Sequence, residues 1–377
     1  MVLRKKTKKA LMVFVEPTPY LLPFIDALVR KVGDADVVFL KENSTQDWNI
    51  TLPPQYLILD NRFKRIRFLA SLVLSRRYGL IHVAGWSHPV CLSLILFSRF
   101  IGTPLVVESD SQLNINLPFL KKLVKRPLYF LLFKLPKAFL PGGTRQAAYF
   151  RHYGVKPGKL VLAQMTVDVQ AIQRQVQRIS CVERSRMRAK YAVVEKDIVF
   201  LFVGRLLDWK GLKELMTAFS ALDCLRAKLW VVGDGDLRQY VSTCARDDER
   251  IVYHGRVSGQ ALVHLYHAAD VFVLASHFEP WGLVVNEAMA AGLPVLASDN
   301  VGSVDDLVFH GKTGMIAKAR NIESLRLMMQ FMLNESEKRI AMGQRAAEHI
   351  TKWTVDNSAS NAIAAWKMAS KHKRVDW

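Results

Sequence analysis

Cysteine is scarce: four residues in 377, Cys91, Cys181, Cys224 and Cys244, stand far apart. Their scatter excludes a disulfide-built scaffold and any thiolate metal cluster, and it fits a reducing compartment. With 20 glycines and 14 prolines the chain is neither fibrous nor low in complexity. Long apolar runs are missing as well. The longest, 89–97 and 128–133, fall well short of the ~20 residues needed to span a bilayer. The basic start, 1–10, leads into apolar 11–15, but Glu16, Pro17 and Pro19 cut that run short. No small-residue cleavage site follows, so the start reads as a lysine-rich lead into a first strand rather than a signal peptide.

Acid is scarce in one half only. Residues 1–190 hold 11 acidic and 31 basic side chains, whereas 191–377 hold 22 of each, so the net charge of +20 belongs to the first half. Such a charge suits nucleic acid, an anionic membrane or a phosphorylated substrate. Half of the residues are apolar, enough for two domains of ordinary size.

Short apolar strands alternate with amphipathic helices along both halves. In the first, strands are predicted over 10–15, 36–40, 80–84, 104–108 and 137–140, with helices over 21–31, 65–75, 92–100 and 146–153. A polar, basic stretch over 169–194 reads as linker plus helix. A second series begins at 198–203 and ends with an edge strand over 313–317 and helices over 325–334 and 335–350. This order implies parallel sheets covered on both faces. It places an N-terminal domain at 1–180, a second at 190–350, and a C-terminal helix over 351–377 that packs back across the domains. No internal sequence repeat is visible.

Segment 118–137 sets large apolar residues among Lys121, Lys122, Lys125, Arg126, Lys134 and Lys137, with no acid. Two structures fit it: a segment lying in a membrane surface, its lysines on anionic headgroups, or a pair of core-facing helices with basic solvated faces. A second patch, Arg62, Lys64, Arg65 and Arg67 with Arg76 and Arg77, brackets another apolar helix.

The chemistry gathers in the second half. Gly204–Arg205 and Lys210–Gly211 follow its first strand, where parallel sheets bind ligands. Gly204 allows close backbone approach, and Arg205 and Lys210 are placed for phosphate oxygens near a helix N-terminus. A turn over 233–238 also follows a strand, and Asp236 reads as a helix cap there. It is neither the dinucleotide-binding glycine pattern nor a P-loop. Over 275–295 a buried strand runs into a loop carrying Glu279, and the next helix carries Glu287. Two carboxylates beside a helix N-terminus suit a nucleotide sugar, whose hydroxyls and phosphates need both. They lack the His, Cys or Asp partners of a metal cluster.

These residues, with 253–255 and with Tyr266, Ala269 and Asp270, make the second half resemble the retaining glycosyltransferases of family 4. The similarity is strong over about 190–320 and extends to the first half only in layout. It implies a GT-B type α/β fold, two facing Rossmann-like doubly wound domains with a cleft between them. It further implies that Arg205 and Lys210 bind the diphosphate of a UDP- or GDP-linked sugar, Glu287 the ribose, and Glu279 the transferred sugar. The backbone at Gly282, Leu283 and Val284 would support phosphate and sugar, and Arg256 and Val257 would border the base. It implies no metal and no cofactor beyond the substrate, with front-face attack that retains the anomeric configuration.

The first half departs from the family pattern. Glu16-Pro17-Thr18-Pro19-Tyr20 replaces a glycine-rich loop, and Ala84 stands where many members have a second histidine. His88 is a candidate for that histidine's role or for a capping role. The junction reads Met165-Thr166-Val167-Asp168, and Gly302-Ser303 replaces a glycine pair. The basic half points to a peripheral enzyme on the cytoplasmic face of the membrane, acting on a lipid-linked acceptor in lipopolysaccharide or exopolysaccharide synthesis. A nucleic-acid- or anionic-surface-binding protein is the alternative, but no helix-turn-helix, zinc module or aromatic-plus-basic strand pattern supports nucleic acid as a partner. A transferase acting on a soluble small acceptor would need no basic face.

Overall fold

The computed structural model describes residues 9–42, 50–75, 77–113 and 118–370. The lead over 1–8, Arg76 and the end of the tail lie outside these residues. The chain forms two units: Met1–Met165 together with Val355–Trp377, and Thr166–Thr354.

In the first unit, β1 (Lys9–Phe14), α1 (Leu21–Val32), β2 (Ala35–Phe39), β3 (Leu57–Ile58), α2 (Arg62–Ser75), β4 (Tyr78–Ala84), α3 (Pro89–Ile101), β5 (Leu105–Ser109), α4 (Phe119–Leu132), β6 (Ala138–Pro141) and α5 (Thr144–His152) follow in order. The strands form one parallel sheet, β3-β2-β1-β4-β5-β6. Its central strands are buried apart from Lys9 and Ala84 at their ends, as their largely apolar sequences require. Helices α2 to α5 cover one face, where Phe68, Leu94, Phe133 and Phe150 join the core. Helix α1 covers the other face and is joined by α15 (Val355–Ser370), the last helix of the chain, which buries Trp366 completely.

The second unit opens with α6 (Val169–Gln177) and α7 (Cys181–Ala189). It continues with β7 (Ile198–Val203), α8 (Leu212–Ser220), β8 (Ala227–Val232), α9 (Arg238–Asp247), β9 (Ile251–Gly255), α10 (Gly259–Ala268), β10 (Val271–Leu274) and α11 (Leu283–Ala290). It ends with β11 (Val295–Ser298), α12 (Val304–Leu307), β12 (Gly314–Ala317), α13 (Ile322–Asn334) and α14 (Ser336–Ile350). Its sheet runs β12-β11-β10-β7-β8-β9, all parallel. Counted from each unit's first strand, both sheets have the same order. Both are doubly wound, with the order reversing between β1 and β4 and between β7 and β10.

The structural division falls at Met165/Thr166, earlier than 180, because α6 and α7 are tied to the second unit. Gln173 donates to the carbonyl of Ala347 at 3.4 Å, and Arg184 to that of His267 at 3.1 Å. Buried Arg188 donates to Asp270 and to the carbonyls of Ala268, Val194 and Asp197. Asp270 also receives Arg184 and the Val199 amide, so one carboxylate joins α7 to β7 and β10. Segment 118–137 holds one helix, Phe119–Leu132 with Pro127 inside it, not two. The tail helix packs within the first unit.

Replacing Trp366 with alanine removes the largest side chain of that tail from a closed core. We expect Trp366→Ala to cost about 3–5 kcal/mol, read as a lower urea midpoint for the first unit.

Candidate nucleotide-sugar site

Strands β7 and β10 are neighbours where the second sheet reverses its order, so the loops leaving their carboxyl ends diverge and open a crevice. The β7 loop carries Gly204 and Arg205, then the buried anchors Leu206 and Leu207, then a 3-10 turn over Asp208–Lys210. Gly211 follows with φ +70°, and a Cβ there would stand 2.0 Å from the carbonyl oxygen of Ala275. Only glycine lets this loop press onto the start of the β10 loop. The second close approach is at Gly233, with φ +141°, where a Cβ would lie 1.8 Å from the carbonyl oxygen of Gly204. Gly204 itself has room for a Cβ, which would touch only the Phe202 ring at 3.5 Å. Its contribution is the carbonyl that Gly233 approaches.

The β10 loop is fastened on both sides. The His277 amide donates to the carbonyl of Trp209 at 2.8 Å, and Asn300 Nδ2 donates to the carbonyl of His277 at 3.1 Å. The Gly302 amide donates to the carbonyl of Glu279 at 2.8 Å. The His277 ring stands 2.8 Å from the Glu214 carboxylate on α8. Buried Trp281 donates to Asn286 Oδ1 at 3.0 Å, tying the loop to α11.

The side chains of Lys210 and Glu279 meet as an ion pair, both largely buried, with Ser276 Oγ 3.4 Å from the same carboxylate oxygen. Arg205 is exposed, its guanidinium 5.8 Å from the centre of the Trp209 ring, with no acidic partner among the described residues. Helix α11 begins after Gly282, so the first-turn amides at Leu283 and Val284 stand at its N-terminus. Further along α11, Glu287 accepts a 2.8 Å hydrogen bond from the hydroxyl of buried Tyr266. Burial pushes the Glu287 carboxyl up to about 7, against the opposing effect of the Tyr266 bond.

Arg256 and Val257 follow β9, the neighbour of β8, Arg256 exposed and Val257 half-buried. Asp236 is not a cap: α9 starts behind Leu237, whose amide donates to the carbonyl of Leu206 at 2.8 Å. His88 lies in the first unit. It caps α3, its Nδ1 accepting the Val90 amide at 3.2 Å, and burial with nearby Arg65 and Lys41 lowers its pKa. The structure therefore groups Arg205, Lys210, Glu279, Gly282, Leu283, Val284 and Glu287 around one strand reversal. Sequence reading used Tyr266 only for the family resemblance and gave no role to Ser276 or His277. Their signal is contact across elements, which linear spacing does not carry. Among the described residues no group of three or more His, Cys, Asp or Glu is placed to hold a metal ion.

Residues 183–349 match the family model described as Glycosyl transferases group 1. An uncharacterized glycosyltransferase of Methanocaldococcus jannaschii is 32% identical over 196 residues, 51% of this chain and 50% of that protein. The chain spans about half the length of the curated relatives it matches. Among solved structures, Anabaena HepE in complex with UDP superimposes with TM-score 0.77 at 18% identity, covering 95% of this chain and 99% of that one. WaaG, described as a glycosyltransferase involved in lipopolysaccharide biosynthesis, does so with TM-score 0.68 at 15% identity, covering 94% and 98%. The fold is of the GT-B type, built from two Rossmann-like units. The second unit is similar over residues 183–349 to the group 1 glycosyl transferases.

The Glu287 carboxyl keeps its proton in the folded state up to about 7, whereas in the unfolded chain it ionises near 4.5. Folding therefore takes up a proton between these values, and stability falls as pH rises through that window, at ~1.4 kcal/mol per pKa unit. Denaturant titrations between pH 5 and 8 should show this loss in the wild type and a flatter profile in Glu287→Gln.

Proposed function

We propose that the chain is a retaining glycosyltransferase that moves a hexose from a UDP- or GDP-linked sugar to a lipid-linked acceptor. What carries the donor side is the Lys210–Glu279 pair at the strand reversal, flanked by unpaired Arg205 and the amides of α11. An incoming diphosphate takes the Lys210 ammonium from Glu279 and adds Arg205 and the amides at Leu283 and Val284. Glu279, released, accepts hydrogen bonds from the sugar hydroxyls, and Glu287 accepts those of the ribose. Arg256 and Val257 border the base. As the glycosidic bond breaks, negative charge grows on the diphosphate, and these fixed donors stabilise it without a metal. The HepE complex with UDP supports a nucleotide donor for this fold.

The acceptor side rests on the surface of the first unit. Helices α2, α3 and α4 cover the same face of the sheet, so their outer sides lie together. Those sides expose Phe63, Phe97, Phe100, Leu120, Leu123, Val124, Leu128 and Leu131, with Phe100 79% and Leu120 74% accessible. Exposed Arg62, Lys64, Arg67, Arg99, Lys121, Arg126 and Lys134 stand among them. Rings and leucines for the acyl boundary, with cations for phosphate headgroups, fit the cytoplasmic face of an anionic membrane. Among the described residues no helix is long and apolar enough to cross it. The involvement of WaaG in lipopolysaccharide biosynthesis favours lipopolysaccharide precursors as acceptors. Lys125 is not part of this surface. Its ammonium sits 5.0–5.5 Å from the ring centres of Tyr129, Tyr149 and Tyr153. His88, used as a cap, holds the loop after β4 and is not assigned to sugar contact.

Lys210→Ala and Glu279→Gln should each slow nucleotide release from the donor by about 10²–10³-fold with unchanged circular dichroism. Wild-type turnover in both would remove the site. Lys121→Glu combined with Arg126→Glu should shift the protein out of the floating fraction with phosphatidylglycerol liposomes, and unaltered flotation would discard this membrane face.

A further inference from the structure

The first unit holds a chain of three side chains that the donor site does not use. His82, on β4, is completely buried. Its Nδ1 accepts the indole N–H of Trp366 at 3.2 Å, and its Nε2 lies 3.0 Å from Oε2 of Glu108 near the end of β5. Because Nδ1 accepts, the ring's proton is on Nε2, and the imidazole donates it to Glu108 as a neutral group.

Three observations give this arrangement a ligand-binding character. Glu108 lies at the carboxyl end of its strand, beside β4, which flanks the order reversal of the first sheet. That end of a doubly wound sheet is where ligands bind. Its side chain is only partly covered, 24% accessible, and among the described residues only His82 bonds it. It carries no ion pair with Lys or Arg there, in a half of the chain crowded with cations. A neutral N–H fixes the direction of a carboxylate yet leaves its negative charge, and hence its strength as an acceptor, intact. Directly across from Glu108 in the sheet register is Ala84, whose side chain is a single methyl group.

We propose that Glu108 binds a hydroxyl of the hexose-type part of the acceptor, with His82 and Trp366 as positioning residues. Oε2 is held by His82, and Oε1 receives the hydroxyl. This site rests on the transferase function proposed above for the nature of its ligand. It adds an acceptor-side contact that the second unit does not contain.

Octyl β-D-glucoside below its micellar concentration serves as the probe, with saturation-transfer NMR reading its sugar and alkyl protons separately. Glu108→Gln preserves shape and can still accept from His82, so the fold is kept. We expect it to reduce transfer to the sugar-ring protons at least about fivefold, while alkyl-chain transfer and calorimetric UDP affinity stay at wild-type levels. Trp366→Phe keeps the buried ring but loses the indole N–H, and nitrogen NMR should then show the Nδ1 signal of His82 move toward that of an imidazole nitrogen accepting no hydrogen bond, with Nε2–H kept by Glu108. Equal ring-proton transfer in wild type and Glu108→Gln, or none in the wild type, overturns the proposal. An unmoved Nδ1 signal in Trp366→Phe overturns the positioning role. Failure of both UDP and GDP to bind defeats the donor site instead, and the glucoside measurement still decides Glu108.

Discussion

The ion pair between Lys210 and Glu279 joins the loops that leave β7 and β10, the two strands at which the second sheet reverses. Taking both charges out of water is costly, and their attraction offsets this only where geometry is tightly held. The surrounding structure holds it. Gly211 lets one loop lie on the carbonyl of Ala275, the His277 amide grips Trp209, and Asn300 and Gly302 fix the backbone on either side of Glu279. Beneath the loops, Asp270 gathers two arginines and a strand amide, keeping α7 on β7 and β10. These contacts fix the two loops against each other, and a diphosphate bound there as proposed would meet a cation that is largely buried and held in place.

Charge is handled differently in the two units. In the second, acids and bases are balanced in number and many are paired within the fold. In the first, the excess cations sit on the outer sides of α2, α3 and α4 among apolar side chains, while Lys125 turns inward onto three tyrosine rings. Seven of the chain's 53 basic residues thus stand exposed on one helical face. Nucleic acid would ask for base-reading groups besides cations, and the exposed leucines and phenylalanines among these cations suit an acyl boundary instead.

The alternation of strands and helices was legible from apolar runs and periodicity, and so were the carboxylates Glu279 and Glu287 and the cations Arg205 and Lys210. Two-residue β3 was not, since Leu57–Ile58 is too short to show a period. Nor was the continuity of α4 through Pro127. The boundary at Met165 escaped because α6 and α7 look like a linker until their partners on α10 and α14 are known. The two units share one strand order without a visible sequence repeat, because buried strands need only be apolar and of the right length. Pairs such as Tyr266–Glu287 and His82–Trp366 join residues distant in sequence, so no local pattern announces them.

The route of the chain has a consequence for how the protein is made. It leaves the first unit at Met165, builds the second in one piece, and returns at Val355 to lay α15 against α1 and the first sheet. During synthesis the second unit emerges as an uninterrupted segment and can close on its own. The first must wait with the surface beneath Trp366 uncovered until residues 355–370 have left the ribosome. The unit that is begun first is therefore closed only after the second has been made.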